Sequence, residues 1–422
     1  MKKANTLWTK NYTCITLSTI LSIIGGEAMV LPVSLLVFEE TQSTFLSAII
    51  MVCGILPDLV FSVLMAPLID KGKKKRWIIG MDLLLMFVYI FVGFQVKTQE
   101  FQYGLYLAMT LIIGTISVFY RLAYGAWYPE LIPVGYEQKG YAVSGTIYPL
   151  VTIVMSPVAT FLYETMSMSN IFFMVAGITL LAIFIEAQIK EQRPEKEVLK
   201  EGYSFQQYKL DVKEGFSYLK NEKGIRNIYT YMSVTNGTAE GCAIAIQAFY
   251  QSHAGFSVMM LGFLKSVEMI GRVLSGLVQY RVEIPPKKRY GVTKFVYTFY
   301  QLSDMILLFL PYPVMLVNRF ICGGLGTMSA TLRETAVQYY LPANIRARVN
   351  AVFHLCFAIG SMVFQVITGI LGEFMSYRAI VVIESVITLV VMWMFIMRPA
   401  DENRKVYEAV RSSCIIVDKI NL

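Results

Sequence analysis

Apolar segments of about twenty residues recur along almost the whole chain. They lie near residues 12–37, 44–69, 77–96, 103–123, 139–162, 171–189, 226–251, 257–280, 292–310, 313–335, 346–372 and 378–398. The composition is 56% hydrophobic and 16% charged, far more apolar than a soluble chain of 422 residues requires. Backbone polar groups in lipid must be satisfied internally, and no series of short alternating strands occurs. The sequence therefore predicts an all-α membrane protein with twelve transmembrane helices.

Lysine and arginine are distributed unevenly between the predicted loops. With the N-terminus inside, 30 of the 37 cations fall in internal loops and termini, whereas the external loops hold only Lys97 and Arg378. Short loops rich in these residues stay in the cytoplasm. We therefore expect a multi-pass protein of the cell membrane with both termini cytoplasmic. The same bias explains the net charge of +8 without a nucleic-acid partner.

The second half of the chain repeats the layout of the first. The stretch "LIPVGYEQKGYAV" precedes "YLPANIRARVNAV" by 209 residues, and a similar match near Phe45 and Phe256 has an offset of 211. Parallel repeats are typical of secondary transporters. The sequence predicts two pseudo-symmetric six-helix bundles. Their ranges are an N-terminal bundle at 1–190, a cytoplasmic linker at 191–225, a C-terminal bundle at 226–398 and a cytoplasmic tail at 399–422.

The linker contains an amphipathic segment. Phe205, Tyr208, Val212, Phe216 and Leu219 recur at helical spacing between lysines. We expect a helix that either lies on the membrane surface against anionic lipid or caps the bundle, and the pattern leaves both open.

Several stretches resemble motifs of the major facilitator superfamily. The segment "APLIDKGKKKRW" resembles the signature Gly-x-Leu-Ala-Asp-Arg-x-Gly-Arg-Lys between spans two and three, with Ala66 at the first glycine. The stretches "GMDLL", "YPELIP" and "DVKEGFSYLK" resemble its drug and macrolide efflux group, which includes siderophore exporters. The stretch "LPANIRARVNAV" resembles a further motif of that group, with Ala347 in place of glycine. The similarity extends to about Pro399.

This resemblance implies a monomeric secondary active transporter without a cofactor. It implies proton-coupled efflux of a small amphiphilic molecule of drug, macrolide or siderophore type by alternating access. An importer or a lipid transporter of the same fold is the alternative, and a non-transporting membrane sensor is an alternative of another class. The sequence has no phosphate-binding loop, zinc-protease motif or nucleophile elbow, so we expect no enzyme. Its six scattered cysteines suggest no metal site.

The resemblance also implies a conformational latch after span two. In the superfamily, an acid at the position of Asp70 meets the N-terminus of span eleven when the halves close on the cytoplasmic side, where the helix dipole favours an anion. The predicted latch residues are Asp70, Lys74, Lys75, Arg76, Glu130, Arg346 and Arg348. For the lysines, a role in topology alone is the alternative.

Ionisable residues inside the spans are expected to be functional, because each costs about 2.5–3.5 kcal/mol at a helix centre. Glu27 and Glu240 occupy the middles of spans one and seven, where an acid serves as a proton carrier or as an anchor for a cationic substrate. On span eight, Lys265, Glu268 and Arg272 share one face, and a self-neutralising ion-pair network is the alternative there. The predicted substrate or proton pathway contains Glu27, Asp58, Glu240, Glu268, Arg272, Arg319 and His354.

Arg319 belongs to a further motif that the resemblance brings out. In span ten, Arg319 and Gly323 resemble the Arg-x-x-x-Gly proton-coupling motif of the superfamily. That motif normally lies in span four, where this chain has no cation before Arg121. His354 in span eleven is either a titrating group or a hydrogen-bonded packing residue.

We predict that Asp70→Asn leaves insertion and abundance close to those of the wild type and sharply lowers transport. The substitution removes a charge that acts in one conformational state and changes little packing. Transport assays on membranes with matched protein levels test this. Transport at the wild-type rate would reduce the stretch to a determinant of topology.

Overall fold

The computed structural model describes residues 6–71, 73–190, 205–282 and 284–409, and most of these residues are helical. The helices are α1 (Lys10–Thr41), α2 (Thr44–Lys71), α3 (Lys74–Thr98), α4 (Tyr103–Leu131), α5 (Glu137–Thr165), α6 (Met168–Ala187), α7 (Phe205–Asn221), α8 (Lys223–Ser252), α9 (Val258–Arg281), α10 (Pro286–Ile306), α11 (Tyr312–Tyr340), α12 (Ala343–Gly372), α13 (Tyr377–Met392) and α14 (Ala400–Tyr407). The described ranges contain no strand. The predicted all-α fold is confirmed.

Twelve of these helices coincide with the twelve predicted spans, namely α1 to α6 and α8 to α13. In the described part of the chain, α1 to α6, α12 and α13 contain segments that are long and apolar enough to cross a membrane by length and composition alone. Helices α8 to α11 have 30, 24, 21 and 29 residues but are more polar. A short π-helical turn, Trp393–Met397, extends α13.

The described part of the chain forms two compact units. The first contains Met1–Tyr208 and Tyr250–Ser266, and the second contains Lys209–Phe249 and Val267–Leu422. In the first unit, α1 packs against α5 and α6, α2 against α4, and α3 against α4 and α6. The last residues of α8 and the start of α9 belong to this unit, where Gln251 Nε2 donates to the carbonyl of Leu35 at 2.9 Å.

The tail helix α14 is an integral part of the second unit, which the sequence did not suggest. Asn403, Val406 and Tyr407 are fully buried. The hydroxyls of Tyr407 and Tyr297 lie 2.8 Å apart. Asn403 Nδ2 donates to the carbonyls of Phe395 and Ile396, in the π-helical turn, at 2.7 and 3.0 Å. The start of the predicted tail is therefore a packed helix.

The linker helix α7 forms where the amphipathic pattern predicts it and packs on α12. Leu219 is buried, and Gly215 lies so close to α12 that an added Cβ would meet Val352 at 2.7 Å and the carbonyl oxygen of Arg348 at 2.8 Å. Glu214 forms an ion pair with Arg348. This is the packing expected of a cap on the bundle.

Two glycines at equivalent repeat positions lie in close contact with the backbone of a neighbouring helix. A Cβ on Gly114 of α4 would meet the carbonyl oxygen of Gly54 of α2 at 2.6 Å. Gly323 of α11, 209 residues later, lies in the same way against the carbonyl oxygen of Glu268 of α9. Small residues at such positions allow the backbones of membrane helices to approach closely. The repeat is therefore preserved where packing leaves no room for a side chain.

We predict that Gly114→Ala and Gly323→Ala each destabilise the protein by about 1–3 kcal/mol, because the methyl group would force two backbones apart. The matched control is Gly276→Ala in α9, since no atom lies within 4 Å of a Cβ built there. Thermal unfolding of the protein in detergent measures the effect. Equal midpoints for all three variants would contradict it.

Candidate functional site

Glu27 lies in the middle of α1 and is half-buried in the first unit. Thr152 Oγ1 of α5 donates a hydrogen bond to Glu27 Oε1 at 3.3 Å. Among the described residues, no cation lies within ion-pair distance of this carboxyl group. Glu27 is thus held between two helices by a neutral hydroxyl group.

Asp58 of α2 forms an ion pair with Arg121 of α4, and both side chains are substantially exposed. Arg121 also has a glycine, Gly125, at the same spacing as in the motif of span ten. The predicted span four ends at residue 123 and so excludes Gly125, whereas α4 continues to Leu131. The motif spacing is therefore present in span four as well.

The second unit holds a compact network of two acids and two arginines. Arg272 Nη2 lies 2.8 Å from Glu268 Oε1, one helical turn away on α9. Arg319 Nη1 of α11 lies 2.8 Å from Asp304 Oδ1 of α10 and 3.9 Å from Glu268 Oε2. The side chains of Arg319 and Asp304 are each only 8% exposed. The network connects three helices and carries no net charge when all four groups are ionised.

The remaining two predicted pathway residues, Glu240 and His354, are not members of this network. Glu240 is exposed on α8. His354 is exposed on α12, 5.8 Å from the ring of Phe353, and lines a cavity of about 50 Å³ together with Tyr229 and Arg333. The structure thus distributes the predicted pathway residues over both units.

The predicted latch residues form one cluster in each unit. In the first, Lys74 pairs with Glu130, while Lys75 Nζ donates to the carbonyls of Ala187 and Ile189 at 2.7 Å each. Arg76 is exposed.

In the second unit, Arg346 Nη2 donates to the carbonyl of Leu341 at 2.9 Å, and Arg348 pairs with Glu214. The side chain of Asp70 lies outside the described residues, although its backbone belongs to α2.

The ion pair between Lys74 and Glu130 has a counterpart at the equivalent repeat position of the second unit. Tyr339 occupies the position 209 residues after Glu130. The guanidinium group of Arg289 lies over its ring, 5.6 Å from the centroid. In each unit, a cation near the start of one helix therefore contacts the last turns of the next helix.

Besides Asp304, three further buried acids were not singled out from the sequence. Asp82 of α3, Glu186 of α6 and Glu384 of α13 are 4%, 0% and 1% exposed. Tyr120 donates to Glu186 Oε1 at 3.4 Å, whereas Asp82 Oδ2 and Glu186 Oε2 have no hydrogen-bond partner in the described ranges. A charged carboxyl group is costly at such a place, so Asp82 and Glu186 are candidate proton-binding groups. In the sequence, each of these residues is a single acid within an apolar run, and this pattern could have identified them.

Glu384 is held differently, by polar side chains of two other helices. It accepts hydrogen bonds from Thr368 of α12 and from Cys242 Sγ of α8, the latter at 3.0 Å. A Cβ on Gly241 would lie 2.8 Å from Glu384 Oε1, so the glycine leaves room for the carboxyl group. Glu384 thus ties α8, α12 and α13 together.

The helices, the repeat and the intramembrane charges are those of a membrane transporter. The sequence pattern of the Major Facilitator Superfamily matches residues 15–303 and 288–417. The chain belongs to the Major Facilitator Superfamily. No curated protein sequence matches it.

Solved structures of transporters share the fold at low sequence identity. A mutant form of the nucleoside transporter NupG is 11% identical, with 92% of this chain and 99% of that chain covered at a TM-score of 0.66. A bacterial homologue of the human lysosomal transporter Spinster is 12% identical, with 97% and 100% covered at 0.66. A mutant of the peptide transporter POT is 11% identical, with 94% and 96% covered at 0.65. These similarities establish the fold.

We predict that Asp304→Ala destabilises the protein by about 3–5 kcal/mol, because it leaves the buried Arg319 without its nearest counter-charge. The double variant Asp304→Met/Arg319→Met removes both charges and is expected to recover most of that loss. Thermal unfolding in detergent measures both variants. A double variant no more stable than Asp304→Ala would mean that the pair itself stabilises the fold.

Proposed function

We propose that the protein is a proton-coupled exporter of small amphiphilic molecules, working as a monomer by alternating access in the cell membrane with both termini in the cytoplasm. Membership of the superfamily supports a transporter. The resemblance of several motifs to the drug and macrolide efflux group supports export and the substrate class. Drugs, macrolides and siderophores are the types of molecule to test first.

The observation that carries proton coupling is the setting of Glu27. Its carboxyl group lies in the middle of α1, is half-buried and accepts a hydrogen bond from Thr152. A group that takes up and releases a proton during transport must not be tied to a permanent counter-charge. In the described part of the chain, Glu27 meets this condition because no cation pairs with it.

The ion pairs of the second unit also support Glu27 as the proton carrier, because acids that are paired with arginines are unsuited to that role. Arg272 and Arg319 are matched by Glu268 and Asp304. Arginine keeps its charge at any physiological pH, so removing the charge of either acid would expose an arginine to apolar surroundings. We therefore assign the network a structural role and Glu27 the role of proton carrier. Glu240 is assigned to substrate binding, as an exposed acid in the middle of α8.

The two latch clusters are proposed to act in the conformational cycle. Lys74 with Glu130 and Arg348 with Glu214 fix helix ends within their own units. The role of Asp70 rests on its position in the signature stretch.

The test measures accumulation of a panel of antibiotics and siderophores in cells that lack or overproduce the protein. We predict that the wild type lowers accumulation of its substrates and that an uncoupler reverses this effect. Glu27→Gln should abolish gradient-driven export while substrate binding and exchange persist. Glu240→Gln should weaken binding itself. Both variants are nearly isosteric and serve as controls for each other.

Other outcomes identify the alternatives. A fall in accumulation on uncoupling would indicate an importer. Wild-type affinity and export in both variants would mean that neither acid takes part in transport. No effect on any small molecule, together with altered lipid distribution between leaflets, would indicate a lipid transporter. A phenotype without any transport would favour a sensor.

A further inference from the structure

We propose that a groove between the ends of α3 and α6 binds an anionic phospholipid. The groove has a volume of about 780 Å³, within the usual range for ligand sites. It lies in the first unit and is separate from Glu27 and from the arginine network. The inference depends on the protein's place in a membrane and not on the direction or substrate of transport.

The rim of the groove is strongly basic. It is formed by Lys73, Lys75 and Arg76 at the start of α3 and by Lys190 after the end of α6. Lys73, Arg76 and Lys190 are exposed, and among the described residues none of them pairs with an acid. Basic pockets between membrane helices attract anionic headgroups, at roughly 1 kcal/mol per cation near the surface. The charge of the groove therefore complements a phosphate group.

The backbone at the rim adds to this complementarity. Lys73 is the N-cap of α3, and its side chain makes no capping hydrogen bond to the first turn. Free N–H groups at a helix start favour a phosphate group. Here they coincide with the basic side chains.

The floor of the groove is apolar and leads into the lipid-facing surface. Ile79, Gly80 and Leu83 of α3 line it, and no atom lies within 4 Å of a Cβ built on Gly80. Further along these helices, large apolar side chains are exposed: Leu84, Phe87, Phe91, Leu180, Leu181 and Phe184. A headgroup at the basic rim would direct its acyl chain onto this surface. A free phosphate ion would leave the apolar floor uncovered, so we assign the groove to a phospholipid.

The rim is held in place by hydrogen bonds. Asn11 of α1 donates to the carbonyl of Lys190 at 2.9 Å and accepts from its backbone N–H at 3.1 Å. Lys75 Nζ bridges the carbonyls of Ala187 and Ile189 at 2.7 Å each. These contacts fix the chain after α6 beside the start of α3. The cations are thus presented by an ordered backbone.

The experiment measures phospholipid retention by native mass spectrometry of the full-length protein in mild detergent. We expect the wild type to retain phosphatidylglycerol in preference to phosphatidylcholine with the same acyl chains. Lys73→Ala/Lys190→Ala should weaken that retention roughly tenfold or more, because two cations are lost. The charge-matched control is Lys287→Ala/Lys288→Ala, which removes two exposed lysines from the start of α10 and should retain the lipid as the wild type does.

A second pair of variants tests the apolar floor without changing any charge. Gly80→Leu should fill the groove and lower retention of phosphatidylglycerol. Gly177→Leu places the same side chain in open space on α6, outside the groove, and should retain the lipid normally. Size-exclusion chromatography verifies that all variants are folded.

Two kinds of result would overturn the proposal. Equal retention of both lipids, or unchanged retention in Lys73→Ala/Lys190→Ala, would mean that this surface has no preference for an anionic lipid. Displacement of the lipid from the wild type by millimolar inorganic phosphate, or full retention by Gly80→Leu, would show a site for the phosphate group alone. Transport is not a readout, so failure here is distinguishable from failure of the proposed efflux function.

Discussion

Every polar group that a helix carries into lipid must find its partner inside the protein. This constraint explains the arrangement of charges in the second unit. Arg319 is buried, and its position is possible because Asp304 and Glu268 approach it from two other helices. Glu268 in turn neutralises Arg272. The four side chains therefore specify how α9, α10 and α11 are placed, since any other arrangement would leave a buried charge without a partner.

Lipid gives no hydrophobic driving force that brings apolar helices together, so close backbone contact is the main source of helix association. Gly114 and Gly323 provide such contact at equivalent positions of the repeat. Few other residues are identical between the halves. Most residues of a repeat can thus differ between the halves while the glycines that allow close backbone contact are kept. Gly323 also brings α11 against the backbone of Glu268, so close packing and charge pairing support each other there.

Sequence patterns predicted the helices well because length and apolarity are local properties. Each of the twelve spans and α7 coincides with an observed helix, and most of their boundaries were placed within a few residues. The pairing of side chains was not predictable, because it depends on which helices become neighbours. Asp304 looked like any acid near a helix end, and Tyr407 like part of an exposed tail, until the fold placed them beside Arg319 and Tyr297. The motif spacing at Arg121 was overlooked because the predicted end of span four lies eight residues before the end of α4.

The acids inside the helices fall into two groups, those that are paired with a permanent cation and those that are not. In the second unit, the acids around Arg272 and Arg319 are committed to permanent cations. In the first, Asp82 and Glu186 are buried without an ion pair among the described residues, and Glu27 is held by a hydroxyl group. A proton can join or leave such a group without stranding an arginine. Asp82, Glu186 and Glu27 therefore differ from Glu268 and Asp304, whose loss of charge would leave a buried arginine without its counter-charge.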